Sequence, residues 1–220
     1  MSTNINKIKV YYQKYGAFYL FKKAMKRVGS LLFSYIRLNF YCVSSVPSTQ
    51  IQPKCPLKIR KGNFDDIELI VNFAENDNKK KVYEQTMYFL NKGGEIFLAF
   101  SEGKLAHIAR LCYYPGVIGS NPLEIHPPVR IKENEVYIGF CQTGSEFKGK
   151  NIYPAVLQYI IKYAFENNKK KCFISTSSSS TASIRGIEKA GFCFVGQKHK
   201  FRILGKIFNN CWSSSTVYRN

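Results

Sequence analysis

Hydrophobic positions along this chain recur with two periods, two residues in some stretches and three to four in others, and the switches between them mark out strands and helices. EVYIGFCQTG (135–144) is β-branched and aromatic and reads as a buried strand, followed by the polar turn SEFKGKN. From Ile152 the apolar residues Val156, Leu157, Ile160, Ile161 and Ala164 recur at helical spacing, with Pro154 in the first turn, where a missing N–H is no loss. KKKCFIST (169–176) is a second short strand, SSSST offers several N-caps, and ASIRGIEKA is a helix stopped by Gly191 ahead of the strand FCFVG. Upstream, LKIRKGNFDDIELIVNFAEN predicts a short strand and then a helix from about Phe64, with Asp65 and Asp66 at its positive end and Ile67, Ile70, Val71 and Ala74 on its buried face. VYEQTMYFLNKGG predicts a further helix ending at glycines, and GEIFLAFSEGKLAHIARLCYYP a hairpin that turns at SEGK. Residues 116–134, with Pro122, Pro127 and Pro128, read as a long loop of the kind that carries substrate contacts.

Strand, basic turn and helix follow one another directly at Lys148, Gly149 and Lys150. A glycine lets backbone approach a phosphate, the start of the next helix presents unpaired amides and a partial positive charge, and the two lysines add attraction. The segment is therefore a candidate anion cradle.

Composition narrows the class. With 220 residues, 45% of them apolar and 15% aromatic, the chain suits one main globular domain, with or without an appendage. Cys42, Cys55, Cys112, Cys141, Cys172, Cys193 and Cys211 form no C-x-x-C pair and read as reduced, cytoplasmic thiols. His107, His126 and His199 have no metal-ligand spacing, so no metal is expected.

Charge changes the picture at the N-terminus. Residues 1–64 hold twelve Lys or Arg and no Asp or Glu, against 21 basic and 14 acidic residues in the remainder, so most of the net +19 lies in the first third. In YGAFYLFKKAMKRV, Ala17, Leu20, Phe21, Ala24 and Val28 share one helical face while Lys22, Lys23, Lys26 and Arg27 take the other. The expected organisation is a basic amphipathic helical extension over 1–50 and the main globular domain over 51–220. Three partners suit the extension: an anionic membrane surface met through residues 5–40, the domain itself, or nucleic acid, which the helical periodicity disfavours. LLFSYIRLNFYCV (31–43) reads equally as strand or helix. Charges interrupt every apolar run, so neither a spanning helix nor a signal peptide is expected, and the protein is placed in the cytoplasm or at the inner face of its membrane.

On the runs TGSEFKGKNIYPAVLQYI and TASIRGIEKAGF the chain resembles the GNAT superfamily of acetyl-CoA-dependent N-acetyltransferases, over roughly residues 57 to 205. The resemblance implies an α+β fold with a central mixed, mostly antiparallel, twisted sheet of about six or seven strands and about four flanking helices. It implies a pyrophosphate loop of the form Q/R-x-x-G-x-G/A on Lys148, Gly149, Lys150, Asn151, Ile152 and Tyr153, with Asn151 and Tyr153 standing where the family has glycine. Asn tolerates positive φ better than most residues. Many members carry an Asn at the start of the last helix for the pantetheine arm and a Tyr seven residues later for the departing thiolate. Ser180 and Ile187 occupy those positions here.

The implied chemistry is direct transfer of acetyl from acetyl-CoA to a primary amine, with no metal. Cys141 and Thr143 match the coenzyme-binding strand, and the Cys141 N–H would polarise the thioester carbonyl; its thiol is read as buried bulk. Candidate bases are His107, Glu84 and Glu135, with Glu95 a further carboxylate at an element end. For His107 the alternative is a structural histidine, since Leu105 and Ala109 flank it at two-residue spacing. Arg185 and Lys189 on the last helix would meet phosphate or solubilise its outer face. The acceptor suggested by the likeness is a nucleotide- or lipid-linked amino sugar of surface-polysaccharide assembly. Two other readings remain open: a tRNA-dependent aminoacyl transferase of related fold, and a degenerate GNAT domain that binds a membrane surface.

Overall fold

The computed structural model describes residues 33–74, 78–113, 116–118, 129–203 and 206–214. By contacts the chain divides into two units, 38–197 with 213–220, and 1–37 with 198–212. The basic helix expected at 15–28 lies outside the described residues.

In the larger unit, strands β1 (Phe33–Val43, from Leu38), β2 (Lys58–Gly62), β3 (Glu95–Ser101), β4 (Lys104–Cys112), β7 (Glu135–Thr143), β8 (Lys171–Ser177) and β9 (Cys193–Ile203, to Gln197) form a seven-stranded sheet in the order β9-β1-β8-β7-β4-β3-β2. The β1–β8, β7–β4, β4–β3 and β3–β2 pairs are antiparallel and β7–β8 is parallel, giving the mixed α+β sheet expected. Four helices accompany it: α1 (Ile67–Phe73), α2 (Lys79–Asn91), α3 (Ile152–Glu166) and α4 (Thr181–Lys189). A short second sheet pairs β5 (Gly116–Ile118) with β6 (Val129–Ile131), inside the span expected to be loop. In the smaller unit the rest of β1 and β9 accompany β10 (Lys206–Ser214), and the Tyr35 and His199 rings stack at 5.7 Å. No described helix is long and apolar enough to cross a membrane.

Alternation along the strands explains why both sheet faces are covered. Ile96 and Leu98 of β3 join the cluster that holds Ile70 of α1 and Phe89 of α2, while Phe97 and Ala99 join that of Val156, Leu157, Ile160 and Ile161 from α3. All ten are buried. Each such side chain withdrawn from water contributes about 1.5–3 kcal/mol, so the two apolar layers fix the helices on opposite faces.

The sequence boundary at residue 50 does not coincide with the structural one. Leu38 to Val43 pair with β8 from Ser177 to Cys172, and all six are buried. These residues belong to the core sheet, because an apolar strand between β8 and β9 has both faces and both edges covered.

Candidate active site

Strand β7 carries the irregularity that makes the site. Ile108 of β4 pairs with Gln142 and Arg110 with Gly139, so two residues of β7, Phe140 and Cys141, stand opposite Ala109 alone. Phe140 takes φ +47, a left-handed conformation that costs a bulky residue of order 1–3 kcal/mol. One extra residue reverses the inside-outside order beyond it. Phe140 is turned out and 39% exposed, and Cys141 packs toward the α3 side. Parallel pairing with β8 is recorded from Glu135 to Ile138, so the bulge follows where that ladder stops.

A second bulge sits opposite. Ala99 pairs with His107 but Phe100 with Leu105, which leaves Ala106 extra and carries Leu105 to the opposite face, while His107 stays on the α3 side with Ala109. Its ring lies 5.5 Å from that of Tyr153, and its Nδ1 shares a 2.7 Å hydrogen bond with Thr143 Oγ1. His107 has no solvent exposure, its Nε2 has no partner, and burial lowers its pKa to about 3. A histidine held neutral by burial is a weak base, which accords with the alternative of a structural histidine at 107.

The turn after β7 is shaped by backbone conformation. Gly149 has φ +78, and a Cβ there would meet nothing within 4 Å, which leaves its face open to a ligand. Asn151 has φ +59, as the expectation for an asparagine there allows, and its side chain does not cap α3 but accepts 3.0 Å from Lys189 Nζ. The N–H groups of Ile152 and Tyr153 open α3 without that cap, and Pro154 has none to satisfy. Behind the turn, a strap that sequence reasoning did not single out braces it. Lys54 N–H donates to Lys150 O at 2.9 Å, Gln158 accepts from Ile51 N–H and donates to Thr49 O, each at 2.8 Å, and Asn151 Nδ2 reaches Gln52 O at 3.5 Å.

These pieces enclose a cleft of about 530 Å³ between β7, the turn, α3 and α4. Cys141, Thr143, Lys148, Gly149, Asn151, Ile152 and Tyr153 line it on one side; Ala182, Ser183, Arg185, Gly186 and Lys189 line it on the other. Ser180 and Lys150 are not among its walls: Ser180 precedes α4 without a side-chain cap, and Lys150 Nζ lies 5.2 Å over the Phe147 ring. Ser183, one turn further in, lines the cleft instead. A second cleft, of about 410 Å³, is lined by Ala74, Val82, Gln85, Phe140 and Gln142, and shares Cys141, Thr143 and Lys148 with the first. The two clefts therefore meet at the bulged end of β7.

The carboxylate candidates do not converge there. Glu135 is buried at the far end of β7, six residues or about 20 Å from Cys141, and accepts from Lys132 N–H at 3.0 Å. Glu84 is exposed on α2 and pairs with Lys80 at 4.0 Å. Glu95 binds Lys61 and accepts from the Tyr163 hydroxyl at 3.0 Å. All three are held by structural partners, and none lines either cleft.

At the shared end the Cys141 thiol points at Gly139 O, 3.9 Å away, and the Tyr153 side chain shares the cleft wall with it. Burial pushes the Cys141 thiol up to about 12, so it stays protonated, and raises the Tyr153 phenol well above its usual 10. Among the described residues no group of three His, Cys, Asp or Glu is arranged to hold a metal.

Comparison with known proteins gives the same architecture. The family model described as Acetyltransferase (GNAT) family matches residues 64–192, more than half of the chain. Among solved structures, the chain is similar to an acetyltransferase from the GNAT family from Colwellia psychrerythraea, with 15% identity, a TM-score of 0.56, and coverage of 77% of this chain and 55% of that one. It is also similar to a GCN5-related N-acetyltransferase from Sphaerobacter thermophilus, with 12% identity, a TM-score of 0.56, and coverage of 82% and 55%. The chain thus spans about half the length of these two structures. At such identities the likeness is one of fold. No curated protein matches the sequence. The family match, together with the mixed sheet, the bulged strand and the glycine turn that opens α3, shows that the chain belongs to the GNAT acetyltransferase family.

Proposed function

We propose that this protein is an N-acetyltransferase that moves an acetyl group from acetyl-CoA to a primary amine by direct attack. The carrying observation is the pair of clefts that share Cys141, Thr143 and Lys148, one opening on the cradle at Gly149 and α3, the other on α1 and α2. Two substrates entering from opposite sides of β7 meet without an acyl-enzyme, and the protonated Cys141 thiol is unsuited to form one.

In this reading Lys148, the open face of Gly149 and the amides of Ile152 and Tyr153 hold the pyrophosphate, with Arg185 and Lys189 adding positive charge. The Cys141 N–H, in the bulge, polarises the thioester carbonyl, which develops negative charge as nitrogen adds. The acceptor's ammonium gives up its proton to water before attack. The acceptor we favour is a nucleotide- or lipid-linked amino sugar in surface-polysaccharide assembly, supported by the net charge of +19, which attracts an anionic substrate. The basic residues 5–40 suit a cytoplasmic enzyme held at the inner face of a membrane.

Calorimetry with acetyl-CoA tests the coenzyme assignment. Binding that Lys148→Glu weakens at least about tenfold, with thermal unfolding unchanged, supports it; equal affinity in both proteins refutes it. An acceptor screen starting from amino-sugar nucleotides follows. Membrane contact is tested with a chain lacking residues 1–32, which spares β1, and binding to anionic vesicles equal to that of the full chain refutes it.

A further inference from the structure

A buried nitrogen beside the site has no partner, and it belongs to a ring that is bonded to a hydroxyl on the cleft wall. His107 of β4 pairs across the sheet with Thr143 of β7, so both side chains stand on the α3 side, and Nδ1 lies 2.7 Å from Thr143 Oγ1. The imidazole has no solvent exposure. The Tyr153 ring packs 5.5 Å from it and fills a notch at Gly186 of α4, where a Cβ would stand 2.6 Å from Tyr153 Cδ1. Nε2 is left with no hydrogen-bond partner among the described residues, and His107 lines neither cleft. Thr143 is only partly buried and lines both clefts where they join. Among the described residues, His107 is the one hydrogen-bond partner of its side chain.

We propose that His107 is a positioning residue: it carries its proton on Nδ1, hydrogen-bonds through that N–H to Thr143 Oγ1, and so makes the Thr143 hydroxyl a donor to a carbonyl oxygen of the acylated coenzyme, a role that rests on the acetyl-CoA reading above. The choice of tautomer follows from burial. A neutral imidazole has one N–H and one bare nitrogen, and the 2.7 Å contact suits either partner as donor. With the proton on Nε2, a fully buried N–H is orphaned, a group that native interiors rarely leave unmade; with the proton on Nδ1, only a lone pair is left over. Burial also keeps the ring from taking a second proton, since it lowers the pKa to about 3. The tautomer then decides what Thr143 can do. An Nδ1–H donor makes Oγ1 the acceptor, and the hydrogen of the hydroxyl is left to point away from the ring into the junction of the clefts, where a carbonyl oxygen accepts it. The opposite tautomer would commit that hydrogen to the ring and offer the cleft only lone pairs, which a carbonyl cannot use. No proton is transferred by either residue; the pair fixes the direction of one donor.

The tautomer is read from the ring-nitrogen shifts of the full chain labelled with 15N-histidine, by long-range proton–nitrogen correlation at about pH 7 and without ligand. The chain has three histidines, and the signals of His107 are those absent from His107→Gln. A protonated Nδ1 with a bare Nε2 is expected, and a proton on Nε2 overturns the proposal. Calorimetry with acetyl-CoA supplies the second arm. Thr143→Val, which keeps the shape and loses the hydroxyl, should weaken binding about tenfold, while Thr143→Ser should stay within about threefold of the wild type. His107→Phe, which removes the Nδ1 donor, should weaken binding about threefold beside Thr143 and not at all beside Thr143→Val, where no hydroxyl remains to be positioned. The same factor in both backgrounds marks a histidine that only fills space and overturns its positioning role, and equal affinity in wild type and Thr143→Val overturns the donor role of Thr143. A wild type that binds no acetyl-CoA refutes the coenzyme reading and the carbonyl acceptor with it, and the tautomer, read without ligand, tells that failure from a failure of the pair.

Discussion

Gly186→Ala separates the notch from ordinary helix energetics. In an open helix interior the change adds about 1 kcal/mol of stability, because alanine loses less backbone freedom than glycine. At position 186 the new methyl would stand 2.6 Å from a carbon of the Tyr153 ring, well inside van der Waals contact, and the ring is backed by His107 at 5.5 Å. Overpacking of this kind costs about 1–3 kcal/mol, so the propensity gain is cancelled or exceeded. Tyr153→Ala, itself destabilising by about 3 kcal/mol, empties the notch and should restore the gain. A urea-denaturation cycle over wild type, both single variants and the double variant should therefore give a coupling of about 1–3 kcal/mol. Additivity within ~0.5 kcal/mol would show that the ring does not occupy the notch in solution.

Three further outcomes are expected. Gly149→Ala, which forces a Cβ into φ +78 without a clash, should cost about 1–2 kcal/mol of stability in thermal unfolding, while Gly149→Val should also abolish acetyl-CoA binding by covering the cradle's open face. His107, neutral in the fold with a pKa of about 3, titrates near 6.5 when unfolded, so its contribution is complete above that value and is lost as pH falls below it; at pH 5 the wild type should forfeit about 2 kcal/mol that His107→Gln does not, as read from urea midpoints. Asp66 accepts from Arg60 at 2.7 and 2.6 Å and from Asn63 N–H at 3.0 Å, which hold its carboxyl below the usual range, so its stabilisation is present above about pH 4 and disappears as pH falls through the lower folded value. Because Arg60 is half exposed, Asp66→Asn should cost only about 1 kcal/mol at neutral pH, and a loss confined to acid would contradict the pairing.

Much of this protein was legible because backbone periodicity is local. The apolar spacing of Val156, Leu157, Ile160 and Ile161, the alternation in EIFLAFS, the SEGK turn and the glycine stop at Gly191 each mark elements seen in the structure, and the basic turn at Lys148 marked the cradle. What escaped depends on how strands register and on contacts distant in sequence. A bulge adds one residue without any signature in composition, so simple alternation put Leu105 on the face of His107 and Ala109, which it leaves, and did not foresee that Cys141 turns toward α3 while Phe140 faces out. Whether a carboxylate lies near the chemistry is likewise set by pairing, which carries Glu135 to the far end of β7 and ties Glu84 to Lys80. The sequence by itself determined the elements, their buried faces and the basic glycine turn that opens α3, since these follow from the spacing of neighbouring residues. Only the tertiary structure decided that residues 38–43 complete the sheet, that two clefts join at Cys141, and that Tyr153 fills the space of a glycine 33 positions away, because each depends on packing between segments whose separation along the chain leaves no local trace.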